Sequence, residues 1–455
     1  MNDINYSLPH FSKLRSELKK EATKLSSYLY NESHIVNKFD FYRKFYPNEK
    51  RVLENEKYLK DDYIDLTKLI TSIDVAGDEN VTPPEVFAPA IKYLRRDIKK
   101  QDEFMSEYIK YQKNRNDSLK NYKLRISVHA GEDFNNILSG MRKIHESVKF
   151  YDMGERDRLG HALAIGLNPK EWCELNGDIF LTKQEHLDNL VWLYHQSINI
   201  LPYYNKTAKL MKRYEKQIKE LCFEVYNKNH DLDDLYKAWK LREYCPIEML
   251  SNNEFKDEYT SSITFKDREG YSEAQKINKS YQTSVDVKKR GSEIIKLECT
   301  NLDNNRYKYR LTDEDLELFE AVQDRLIQKF CDMGIIIETN PSSNIYIAHI
   351  HSFGKHPIYR WNPIEDIDLY ESVENKPKFN KFGLRSSRMK VCVNTDDPAI
   401  MPTTLRNEFD LLERTALGTY SDNQENIKSW SEKIRKLGIE IFDYDHQESE
   451  FSIKK

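Results

Sequence analysis

No apolar run of about 18 or more residues occurs in the 455-residue chain, so no transmembrane helix is expected. The opening stretch MNDINYSLPHFSKLRSELKK lacks the apolar segment and small-residue cleavage site of a secretory leader, and a cytoplasmic location is expected. Cysteine is sparse. Cys173, Cys222, Cys245, Cys299, Cys331 and Cys392 form no CxxC pair, which argues against a zinc ribbon and a disulfide framework. Charge of one sign is also missing: the net value is −4, which excludes a general binder of nucleic acid or of acidic membranes. There is no internal repeat.

What is present is a polar but globular composition, 32% charged and 39% hydrophobic, with 29 Tyr and 20 Phe supplying apolar surface. The length allows two or three domains. Residues 1–66 read as helical and polar, from apolar positions three and four apart in SKLRSELKKEATKLSSYLY. Short β-branched runs then end in polar residues, at LITSIDVAG (69–77), LRISVHAG (124–131), RLGH (158–161), GIIIETNP (334–341) and MKVCVNTDDP (389–398). Helical patterns are expected at about 84–122, 313–333 and from about Thr404. Strands alternating with helices imply parallel pairing. Polar groups at the strand ends suit a barrel whose chemistry gathers at the C-terminal mouth. Residues 166–332 interrupt this rhythm and read as a mostly helical insertion, with helices near 187–194 and 206–225 and a very polar stretch at 251–313. The expected division is 1–66, a barrel portion of 67–165 and 333–415, the insertion, and a helical tail of 416–455.

Individually, the candidate residues have ordinary explanations beside the functional ones. His129 with Glu132, and His161, could be hydrogen-bonded core residues. Asp396 and Asp397 place two carboxylates after an apolar strand, costly unless a cation or donors neutralise them. The structural alternative is an N-cap for a helix near Pro398.

Together, SIDVAGDE (72–79), SVHAGE (127–132), RLGHA (158–162), ETNPSSN (338–344) and VNTDDP (393–398) resemble, in order, the motifs of the adenosine deaminase family. The resemblance covers somewhat under half the chain. It implies an α/β fold, strands four to eight of a (β/α)8 TIM barrel of the metal-dependent hydrolase type, incomplete at the N-terminus. It further implies one Zn2+ held by His129 and Asp396, and Glu132 as the proton shuttle to the purine N1. His161 would orient the attacking water, Asp397 would bond N7, and the Gly77 N–H would meet N3. The implied reaction is hydrolytic deamination of adenosine or an adenine nucleotide.

The family's His-x-His at the first strand has no counterpart upstream of His129, where His10 and His34 are isolated. Two ligands hold a catalytic zinc poorly. The one His-x-His, His349 and His351, lies after the seventh-strand motif, and loop histidines are its plainer reading. The remaining ligands are therefore expected from a companion chain or a missing segment, with a homo-oligomer as another arrangement. The alternative is an inactive, deaminase-like scaffold. The large insertion is similar in overall plan to the deaminase subunit of the RADAR anti-phage system, which implies antiviral defence and an ATPase partner. The basic run 376–390 (KPKFNKFGLRSSRMK) precedes the last strand, hence lies away from the reactive end, and reads as a solvated linker or protein-contact surface.

Overall fold

The computed structural model describes residues 8–30, 70–96, 124–246, 269–299, 308–347, 350, 352–370, 377–397 and 399–447, with short pieces at 35–37, 40, 43–44, 62–65, 259, 265 and 452–454. In chain order the described strands are β1 (Ile35–Asn37), β2 (Asp62–Asp65), β3 (Ser72–Val75), β4 (Arg125–Ala130), β5 (Arg158–His161), β6 (Ile179–Thr182), β7 (Ile294–Leu297), β8 (Ile336–Thr339), β9 (Lys390–Val393) and β10 (Ser452–Lys454). The fold is α/β. Its centre is a five-stranded sheet in the order β3-β4-β5-β8-β9, parallel at every pairing. Strand order follows chain order, so each crossover carries the chain one strand further in the same direction.

The register sorts the side chains by face, because alternate residues of a strand point to opposite sides. Val75, Val128, Leu159, Ile337 and Val391 form one row across the sheet. The last four of these are buried and share a core with helices Ile137–Phe150 and Asp313–Asp332. The neighbouring row, His129, Gly160, Glu338 and Cys392, faces the other way, and His129, Glu338 and Cys392 are only half-buried. One face is thus apolar and helix-covered, the other polar and partly open.

The interruption between β5 and β8 is mostly helical, with helices Lys183–Ile198, Thr207–Tyr226, Leu232–Lys240, Ser272–Thr283 and Val285–Gly291. It also contains an antiparallel β6–β7 pair, whose strands are far apart in sequence. The core continues from the sheet into it through Leu190, Leu221 and Ile277. Buried polar groups brace the join. The Trp239 indole donates to Glu146, and Arg142 donates to Asn189 at 2.8 Å. Helix Asp313–Asp332 starts at a Thr312–Asp315 capping box, as its sequence suggests.

Three details depart from the sequence reading. The first 66 residues hold helix Ser12–Tyr30 but also β1 and β2, which pair with β10 near the other terminus. The helix expected from about Thr404 is present as Leu405–Ala416 with Thr404 as its cap, but the alternative N-cap near Pro398 is not: Asp397 accepts from the Ala399 N–H in a turn. In the basic run, Arg385 is buried and donates to the carbonyls of Arg360, Phe379 and Trp361. Arg388 bonds the Pro363 carbonyl. Arg388 also pairs with Asp366, while Lys378, Lys381 and Lys390 are exposed, as the solvated reading expects. No helix among the described residues is long and apolar enough to cross a membrane. The six cysteines are free, with Cys173 and Cys299 Sγ 3.2 Å apart.

Candidate active site at the strand ends

Parallel pairing puts the C-terminal ends of β3, β4, β5, β8 and β9 along one edge of the sheet, and the candidate residues sit there. Backbone at that edge is unusual. Gly77, Gly131, His161, Ala162 and Asp396 all have positive φ, at 143°, 74°, 65°, 50° and 61°. For a non-glycine residue this costs energy and is commonly found where a side chain is aimed for function.

After β4 the chain turns at Gly131. A Cβ there would lie 2.3 Å from Ile144 Cδ1, so both the backbone angle and the space demand glycine. The turn is held by Glu79, whose carboxylate accepts the N–H groups of Gly131, Glu132 and Asp133 at 2.9, 2.7 and 3.1 Å. Burial pushes the Glu79 carboxyl above its ordinary range, only partly offset by these bonds and by Lys143. Glu79 lies within the first motif, but no role was read for it; its signal was an acid two residues past the Gly77 turn.

The turn brings Glu132 beside His129 and His161. Their ligand atoms lie within 4.8 Å of one another, a group of three that could hold a metal ion. Glu132 Oε1 is 2.9 Å from His161 Nδ1, and the two imidazoles meet edge to face at 4.9 Å. Gly160 makes room, since a Cβ on it would come 2.9 Å from the His129 ring. Burial opposes a charged His161, but the Glu132 carboxylate outweighs it, with Asp396 adding to the pull, and raises the imidazole above its usual value. Asp133 is raised as well, by burial and by the charges of Glu132 and Asp78.

Asp396 is half-buried at the end of β9 and lies outside that group of three. Its Oδ2 accepts from Ser343 Oγ at 2.5 Å. The next residue, Asn344, contacts His161 Nδ1 at 2.8 Å, so two consecutive residues of helix Pro341–Ile347 touch two different strand ends. Asp397 and Gly77 are exposed, and Gly77 faces open space. Asp74, on the polar face of β3, is 3.8 Å from His129 Nε2. His349 and His351 lie outside the described residues.

The donors fit a divalent metal. Two imidazoles and a carboxylate converge, the surroundings are acid-rich, and His161 Nε2 is buried without a hydrogen-bond partner among the described residues.

No family model matches the chain. Among curated proteins it is similar to an adenine deaminase of Rhizobium rhizogenes (strain K84), 27% identical over 107 residues. The match covers 23% of this chain and 26% of that protein, so the chain spans about a quarter of that relative's length.

Proposed function

We propose that the chain carries the reactive half of a zinc-dependent purine deaminase, converting adenosine or an adenine nucleotide to the inosine form. The observation that supports this best is the convergence of His129, Glu132 and His161 at the ends of adjacent parallel strands.

In this reading His129 and Asp396 are ligands to the metal, whose chemistry when bound is to acidify a water toward neutral pH. Glu132 carries protons. Its carboxyl protonates the ring nitrogen N1, which makes C6 electron-poor, and water oxygen adds at C6 as one water proton passes to the Glu132 carboxylate. Glu132 hands that proton to the amino nitrogen, the C6–N bond breaks as ammonia leaves, and the remaining hydroxyl proton returns to Glu132 as the C6 carbonyl forms. His161 orients the incoming water, Asp397 bonds N7, and the Gly77 N–H meets N3.

The sheet extends the reading to a (β/α)8 barrel of which these are strands four to eight. Sequential parallel order with helices on one face is how such a barrel is wound. The half-buried polar row, with His129 in it, would then face the lumen. β3 ends the sheet in described residues, and an unpaired edge is a pairing template. We assign the first three strands, and the ligands they bear, to a companion chain or to a segment beyond this sequence, with 166–332 as an assembly surface.

Ammonia release and loss of adenine absorbance, measured on the zinc-loaded assembly, test the function. Glu132→Gln is expected to lower kcat by about 10²–10⁴-fold. Equal turnover in the variant would remove Glu132 from the mechanism. A scaffold reading is favoured by one observation, that Asp396 stands outside the tight group. It requires an assembly that forms normally, binds zinc and releases no ammonia.

A further inference from the structure

We propose that Asn344, itself oriented by His356, fixes the tautomer and rotation of the His161 ring, leaving Nε2–H as that ring's donor. The argument runs inward from a backbone amide. The Ile358 N–H lies 3.2 Å from His356 Nδ1. An amide N–H can only donate, so Nδ1 accepts and the His356 proton sits on Nε2. His356 is buried, and burial drives its pKa down to about 3, so the ring stays neutral.

His356 Nε2–H then faces Asn344 Oδ1 at 3.1 Å. The Asn340 N–H reaches the same atom at 3.3 Å and Thr339 Oγ1 at 3.0 Å. The Asn340 N–H can only donate, which identifies the atom it reaches as the amide oxygen, and the His356 Nε2–H agrees. The Asn344 Nδ2 therefore faces His161 Nδ1, 2.8 Å away. An NH2 group has no lone pair to offer, so Nδ1 must accept and the neutral ring carries its proton on Nε2. That nitrogen is buried and has no hydrogen-bond partner among the described residues.

Glu132 Oε1 competes for the same atom at 2.9 Å. Left alone it would draw the proton to Nδ1 and spend the ring's donor on a carboxylate. Asn344 holds the lone pair there instead, and keeps Nε2–H for an oxygen in the site. Asn344 and His356 are positioning residues; neither touches the reacting atoms in this account.

Only the consequence for turnover rests on the deaminase reading; the tautomer is read independently. The test is a two-bond nitrogen–proton correlation spectrum of the full chain, labelled with 15N-histidine and recorded as a pH series carried upward until the His161 signal reaches its neutral form. His161→Gln assigns the signal. The wild type is expected to show a protonated Nε2 and a pyridine-like Nδ1 at His161. Asn344→Asp, which offers only acceptors at that place, is expected to move the proton to Nδ1. His356→Ala frees the amide to rotate, and both tautomers should appear. A wild-type ring protonated on Nδ1 overturns the proposal, whether or not the variants fold. So does a folded Asn344→Asp chain with the wild-type pattern. In the active assembly, Asn344→Asp is expected to lower kcat at least about tenfold with KM little changed. If the spectra behave as expected and no assembly deaminates, the relay stands and the deaminase reading fails.

Discussion

The site is organised by single residues that have little freedom to vary. Gly131 combines positive φ with a Cβ position already filled by Ile144. Gly131→Ala is expected to destabilise the chain by about 1–3 kcal/mol, the usual range for overpacking, measured by denaturant unfolding. Glu79 gathers three N–H groups of the same turn, and Glu79→Ala leaves all three without their acceptor. Each buried orphan costs about 1–3 kcal/mol. Faster amide exchange confined to residues 131–133 would mark the turn, whereas unchanged exchange there would show that Glu79 does not hold it. The imidazole and carboxylate types were legible from their places after β-branched runs. Glu79, Asn344 and His356 were not, because their roles arise from contacts between distant segments. An asparagine in ETNPSSN carries no local mark of the histidine it touches 183 residues away.

At the scale of elements, the five parallel strands lie where the apolar runs were read, and the helices at Lys183–Ile198, Thr207–Tyr226 and Asp313–Asp332 overlap their periodic patterns. Local signals carry that far: strand runs end at turn residues, and Thr312 announces a helix start. The β6–β7 pair and the β1–β2–β10 sheet escaped, since pairing across long separations leaves no period in the sequence. In the basic run the lysines at 378, 381 and 390 are exposed as read, but Arg385 departs for a related reason. Charge suggests solvent, yet Arg385 serves three carbonyls inside the connection between β8 and β9. Arg385→Ala strands those acceptors and should cost about 2–4 kcal/mol in unfolding free energy, whereas a solvated arginine would cost less than about 0.5.

For the molecule as a whole, buried histidines set an acid limit. His186 is held at about 4 and His356 at about 3, mainly by burial. Below pH ~6.5 the unfolded chain protonates both while the folded chain does not, so stability falls with pH until those folded values are reached. Each contributes a slope of up to about 1.4 kcal/mol per pH unit in that window. His186→Phe, which cannot titrate, is expected to give a shallower acid limb in melting experiments between about pH 6 and 4. An unchanged slope would assign the acid limit elsewhere. The central claim, that strand-end groups form one metal centre, is tested most directly by equilibrium dialysis against Zn2+ of the assembly that supplies the remaining ligands. The account predicts about one ion per chain, with occupancy lost in His129→Ala. Equal uptake by wild type and His129→Ala, or none by either, would contradict it.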